Sequence, residues 1–308
     1  MRVTFGINNC FAVKRWPVPD EWARVVREEL GVDVVQHCLD LTDLEGDVVA
    51  EAQAVRTACA AAGLRLHSVF TGLVAYSANL MLAPETAERQ RGLDLWSRAI
   101  VFAARAGAVS AGGHVGSLSR PDADDRERRE LRWSELRVRL ADLSRFAMRQ
   151  GLEALLVENM ACDREPCRIA EIESLVAPAV AQHAAITLCL DVGHQCVPGA
   201  VGDDADPYAW LRRLGAHTTV VHLQQSDADA DHHWPFTKEF NARGRIRAES
   251  VLDALAASGA QEVALMLEVV PPFEADDACV LRELRESVLY WQAALRDHPA
   301  TSAEAGPT

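Results

Sequence analysis

Short apolar runs rich in β-branched residues recur along this chain about 30 residues apart, the length of a strand-plus-helix unit, and most end abruptly in a polar residue. ITLCL at 186–190 has the pattern of a strand buried on both faces. DVGH follows at once, so a carboxylate (Asp191) and an imidazole (His194) stand at one strand's carboxyl end. Upstream, ALLVEN carries Glu158; downstream, TTVVHLQQ carries His222 and EVALMLEV carries Glu268.

The full pattern predicts strands over Met1–Asn8, Val32–Cys38, Leu64–Phe70, Ala108–Gly113, Ala154–Asn159, Ile186–Leu190, Thr218–Gln224 and Glu262–Val269. Helical spacing predicts Glu21–Leu30 after an Asp20 cap, Val48–Ala62 stopped by Gly63, and Glu85–Ala106 stopped by Gly107. Asp122–Gln150, Pro166–Ala181, Pro207–Leu214, Ala248–Ser258 and Asp276–Leu295 complete the helices. Strands alternating with helices in this way predict a single (β/α)8 TIM barrel with outer helices over residues 1–296, followed by a disordered tail at 297–308. A doubly wound open sheet fits less well, because no G-x-G-x-x-G follows the first strand and polar residues end at least six strands instead of clustering at one switch point.

Composition narrows the partners. A net charge of −14 and a pI near 5.2 oppose nucleic acid, whose binding rests on clustered Lys and Arg. The dense charge of 122–150 is a solvated helix face. No apolar run approaches the ~20 residues needed to span a bilayer, and MRVTFGINN lacks a signal-peptide pattern. Eight cysteines without small-domain spacing are expected to stay reduced, mostly as buried free thiols, and the chain is expected to be cytoplasmic. A small and even anionic ligand remains compatible with this charge, as does homo-oligomerisation.

In a barrel, strand carboxyl ends form the catalytic face, which is where Glu158, Asp191, His222 and Glu268 project. Carboxylate oxygens with one imidazole, in a chain without a thiolate cluster, suit one borderline-hard divalent ion: manganese, magnesium, cobalt or zinc.

The order Glu at strand five, D-x-G-H at strand six, His at strand seven and Glu at strand eight resembles the xylose-isomerase-like barrel superfamily, especially sugar and sugar-phosphate isomerases and epimerases close to tagatose 3-epimerase. That resemblance implies Glu158, Asp191, His222 and Glu268 as metal ligands, manganese first among the candidates, with His194 as a substrate contact. It also implies Glu158 and Glu268 as an acid/base pair that moves the proton beside a ketose carbonyl through an enediolate, giving epimerisation or isomerisation of a keto-sugar or sugar phosphate. One departure bears on substrate: where tagatose-type epimerases place a substrate arginine after the strand-seven histidine, this chain has HLQQSDADADHHWPFTKEFNARG. Lyases of the same superfamily, acting on keto-inositols or C-glycosides, start from the same proton removal and form the first alternative. The second is a three-zinc phosphodiesterase, since His67, His114, Glu158, Asp191, His194, His222, Asp231, His233 and Glu268 resemble the ligand set of the endonuclease IV family.

Other residues carry weaker expectations. His67 and His114, assigned to the ends of strands three and four, are candidate substrate contacts, whereas His37 is expected to be structural. His183, His217 and His298 are expected to be solvent groups. Gly112, Gly113 and Gly116 could admit a ligand close to backbone or simply make a turn. The long Ser226–Arg245 loop, with His232 and His233 beside Trp234, Pro235 and Phe236, is expected to be a lid. Lys14 and Lys238 are the only lysines, against 29 arginines, and together with the rivals Arg243 and Arg245 they are candidate anchors for a phosphate or carboxylate.

Overall fold

The computed structural model describes residues 1–176 and 185–303. Eight parallel strands run as β1 (Arg2–Asn8), β2 (Val34–Cys38), β3 (Arg65–Phe70), β4 (Ser110–Gly113), β5 (Ala154–Glu158), β6 (Ile186–Asp191), β7 (Thr218–Leu223) and β8 (Glu262–Leu267). Each pairs with the next, and β8 pairs back onto β1 from Arg2↔Glu262 to Ile7↔Leu267, so the sheet closes into the expected (β/α)8 barrel. The helices are α1 (Pro19–Arg24), α2 (Val48–Ala62), α3 (Thr86–Ala106), α4 (Arg120–Asp124), α5 (Arg126–Arg149), α6 (Ile169–Val176), α7 (Pro207–Leu214), α8 (Lys238–Arg243), α9 (Ala248–Ala257) and α10 (Asp277–Asp297).

Strand periodicity explains both cores. Val34, Phe70, Leu156, Cys189, Val220, Ala264 and Met266 face inward and form a small lumen layer. Their neighbours Val35, Val69, Leu155, Val157, Leu188, Leu190, Val221 and Leu265 face outward into the larger barrel–helix core. Two residues past the lumen layer the same inward face continues with Glu158 after Leu156, Asp191 after Cys189, His222 after Val220 and Glu268 after Met266. The apolar layer floors the mouth, and the polar quartet stands on it.

Several local expectations are corrected. Pro19 is the first residue of α1 and Val18 its N-cap, so Asp20 lies inside the first turn. The helix expected over 122–150 is broken at Asp125, which leaves helical geometry and accepts from the Glu127 and Arg128 amides to start α5 afresh. Residues 166–168 precede α6, and the rest of the helix expected to reach Ala181 lies, with His183, outside the described residues beyond Val176. The short α8 was not foreseen; Thr237 caps it. Of the tail expected at 297–308, residues 297–303 are described: α10 runs to Asp297, the Met1 ammonium donates to the Ala300 carbonyl at 3.1 Å, and Ser302–Ala303 adds a short ninth strand to β1. Gly113 and Gly116 have φ of +137° and +128°, and a Cβ there would collide with Thr71 and the Asn79 carbonyl. Those glycines therefore admit the loop after β3, not a ligand. All eight cysteines are free; four are buried, but Cys162 is exposed.

His37 is structural, as expected. It points outward from β2 between the rings of Trp22 (5.6 Å) and Phe102 (5.4 Å), with Asn9 donating to Nδ1 and Thr42 Oγ1 at Nε2. Burial drives its pKa down to about 3. Above the unfolded value of about 6.5 the ring is neutral in both states, and below it only the unfolded chain takes up the proton, so this stability is lost as pH falls. Between about pH 7 and pH 5 the wild-type chain is expected to lose about 2 kcal/mol more stability than His37→Gln. Denaturant titrations at the two pH values measure this; equal losses would place the acid sensitivity elsewhere.

Candidate active site

Four buried side chains from four consecutive strands meet at the barrel mouth. Ligating atoms of Glu158, Asp191, His222 and Glu268 all lie within 4.8 Å of one another. His222 Nδ1 is 3.3 Å from Glu158 Oε1 and 2.9 Å from Glu268 Oε2.

The imidazole's orientation is set from behind. Gln36, inward on β2, donates through Nε2 to Ser68 Oγ at 2.9 Å, which turns its Oε1 towards the site. That oxygen accepts from Asn8 Nδ2 at 2.8 Å and from His222 Nε2 at 2.6 Å. The His222 proton is thereby held on Nε2, and Nδ1 faces two carboxylates. Asn8 Nδ2 also donates to Glu268 Oε1 at 2.8 Å. An Nδ1 lone pair among carboxylates is repulsive unless a proton or a cation lies between them.

The electrostatics say the same. Burial pushes Glu158 and Asp191 upward, partly offset by His222 and His194 respectively. Burial opposes charge on Glu268 too, yet His222, with His233 and His194, outweighs it and holds the carboxyl below its ordinary value. Burial disfavours a charged His222, but Cys189, Glu268 and Glu158 raise its pKa well above the usual range. Three carboxylates and one imidazole with a directed lone pair, closed off from water, are a donor set that fits a divalent cation.

A second group flanks Asp191. His194 donates from Nδ1 to the Asn159 carbonyl at 2.7 Å, leaving Nε2 3.3 Å from Asp231 and 3.8 Å from Asp191. His233 Nε2 also lies 3.3 Å from Asp231, and the backbone of His233 has a positive φ of 50° that turns its ring inward. Asp231 lies well below the carboxylate range, because His194 and His233 outweigh its burial. His233 is raised to about 9: burial opposes its charge, and Asp231 more than compensates. Asp191, His194 and His233 also have metal-ligand spacing, but Asp231 pairs with both histidines as a counter-ion. Gln224 ties the groups together, its Nε2 donating to Asp191 and Asp231. Gly193 is glycine because the Gln224 side chain occupies the space of a Cβ.

Some predicted residues lie elsewhere. His67 sits low on β3, beside Thr4, Arg65, Glu153 and Glu262 at the opposite end of the barrel; β3 continues three residues beyond it to Phe70. The nine-residue set of the phosphodiesterase reading is therefore not assembled at one end. Lys238 opens α8, exposed, with its amide on Glu286 of α10, and is not brought to the cluster. Lys14 lies over Phe273 on the rim. His232 stacks on Trp234 at 3.7 Å and pairs with Asp227, Arg243 lies over Trp234, and Arg245 donates to the Ala205 carbonyl. The loop expected as a lid is pinned: Gln225 and Trp234 bond through both backbones, and Phe236 packs on Tyr290 and Trp291. It is a wall that delivers Asp231 and His233. Of the expected solvent histidines, His217 is exposed, whereas His298 is largely covered and pairs with Asp253 at 3.1 Å.

Sequence reasoning missed Asn8, Gln36 and Gln224, although their inward parity on β1 and β2 and just past β7 marks them once the lumen face is known. It also missed Tyr76, whose hydroxyl donates to Glu158 Oε2 at 3.1 Å from the loop after β3, and which stacks on His114 at 4.9 Å. Nothing in the local pattern of that loop announces it.

Comparison with known proteins agrees with this architecture. A family model described as "Xylose isomerase-like TIM barrel" matches residues 26–285. D-erythrulose 1-phosphate 3-epimerase of Brucella abortus (strain 2308) is 29% identical over 301 residues, covering 94% of this chain and 96% of that one. The crystal structure of a putative xylose isomerase from Rhodospirillum rubrum superposes with a TM-score of 0.86 at 32% identity, over 94% of this chain and 99% of the other. D-allulose 3-epimerase from Methylomonas sp. shares the fold, with a TM-score of 0.65 at 18% identity over 96% of each chain. On a family match that spans most of its length and all four strands of the carboxylate–histidine cluster, the chain belongs to the xylose isomerase-like TIM barrel family.

Proposed function

We propose that this sugar isomerase or epimerase is a divalent-metal-dependent 3-epimerase of a short ketose phosphate, with Glu158 and Glu268 as its proton-transfer pair. The observation that carries the reading is the placement of the two carboxylates on either side of one imidazole nitrogen, 3.3 and 2.9 Å from it. They arise from β5 and β8, three places apart around the barrel, and so approach a sugar at the mouth from different sides. The four-carbon ketose phosphate named for the Brucella relative motivates the substrate class.

Glu158, Asp191, His222 and Glu268 would hold the ion, manganese first and magnesium, cobalt or zinc as alternatives. When bound, such an ion polarises the ketose carbonyl and the neighbouring hydroxyl as a Lewis acid. One glutamate removes the proton from the carbon next to the carbonyl; the other delivers a proton to the opposite face of that carbon, inverting it. Gln36 and Asn8 keep His222 and Glu268 from turning, and His194 and His233 present polar hydrogens to the sugar oxygens. Eight free thiols agree with a reducing, cytoplasmic setting.

Elemental analysis of the purified chain is expected to find a divalent ion that Asp191→Ala and His222→Ala lose. Gln36→Leu, which releases the His222 ring without touching a ligand, is expected to weaken metal affinity about 10–100-fold. Metal content unchanged in all three variants would remove the site.

Replacing either glutamate by Gln preserves shape and one oxygen while deleting the base, and is expected to lower kcat about 10²–10⁴-fold. In deuterated water the variant lacking the first base loses α-proton exchange from a given epimer, whereas the other retains exchange without turnover. Near-normal exchange and turnover in both, with metal still bound, would transfer the role to another group.

A further inference from the structure

Beyond the reaction centre the mouth has a second polar wall, built from the loops after β3, β4 and β5. It begins at Tyr76, whose hydroxyl donates to Glu158 Oε2 and whose ring lies 6° from parallel with that of His114. Next comes His114, fully buried, whose ring nitrogens make no hydrogen bond of good geometry among the described residues, although the Ala78 carbonyl lies near enough to favour the protonated ring. Last is Glu165, 6% exposed, whose Oε2 has no partner and whose Oε1 lies 4.0 Å from His114 Nε2, too far for a hydrogen bond.

Buried polar atoms without a well-formed partner are costly, so three in one wall beside a reaction centre point to a ligand that completes part of that wall. Resting on the ketose-phosphate reading above, we propose that His114 and Glu165, beside Tyr76, form the subsite for the hydroxyl-bearing end of the substrate, remote from its phosphate.

The chemistry of the wall selects a hydroxyl. Burial holds the His114 pKa down to about 4, so near neutral pH the ring offers one N–H and one lone pair; burial pushes Glu165 up to about 7. A hydroxyl both donates and accepts, and its oxygen at about 2.8 Å from each partner bridges the gap between Nε2 and Oε1. A phosphate dianion would face a carboxyl group and an uncharged imidazole. A hydroxyl there satisfies Nε2, which an apolar end would leave without a partner.

The test pairs a tetrulose 1-phosphate with its 4-deoxy analogue, which lacks only the terminal hydroxyl. Wild type is expected to prefer the hydroxylated substrate at least about 10²-fold in kcat/KM, as sites built around a substrate hydroxyl do. Glu165→Leu and His114→Phe are expected to bring that ratio below about 10, mainly through a higher KM for the hydroxylated substrate, with the near-isosteric Glu165→Gln between. Equal losses on both substrates would overturn the subsite while leaving the ketose-phosphate reading intact. Saturation-transfer NMR with erythritol needs no turnover: its terminal CH2OH is expected to receive saturation from wild type and to lose it with Glu165→Leu. That dependence in a chain that turns over no tetrulose phosphate would sink the reaction but keep the subsite. An erythritol signal that is absent, or indifferent to Glu165, would overturn the subsite.

Discussion

One hydrogen bond, from His222 Nε2 to Gln36 Oε1, decides what the barrel mouth is. It assigns the imidazole proton to the side away from the cluster and turns a lone pair towards two carboxylates. Gln36 can do this only because Ser68 orients its amide and Asn8 shares its oxygen. β1, β2 and β3 thus contribute no ligand, yet they determine the state of the histidine on β7. The carboxylates are buried and mutually repulsive, so the arrangement is complete only with positive charge at its centre.

Around that centre the site is asymmetric. On one side Asp231 brings His194 and His233 together in an ionic group at the rim, anchored through Gln224 to Asp191. On the other, Tyr76, His114 and Glu165 form a wall with unmet hydrogen-bonding capacity. A sugar spanning the mouth would meet charged imidazoles at one end and uncharged polar groups at the other, which fits a substrate whose two ends differ in charge.

Much of this was legible from strand periodicity. Buried parallel strands show as continuous apolar runs, and their ends are marked by the first polar residue, so the pattern alone puts Glu158, Asp191, His222 and Glu268 in register. His67 failed because an imidazole within an apolar run gives no sign of which end of the strand it occupies. Lys238 failed because loop length carries no direction: the chain turns outward there to cap a short helix against α10.

The sequence by itself determined the barrel and its carboxylate–histidine quartet, because both follow from alternation along each strand and the rise per residue, which are local properties. Only tertiary structure decided which residues serve the quartet. Gln36 lies 186 residues from His222, and Tyr76 82 from Glu158. Their contacts depend on how the closed barrel rotates each strand and loop towards the axis, and no short-range pattern encodes that rotation.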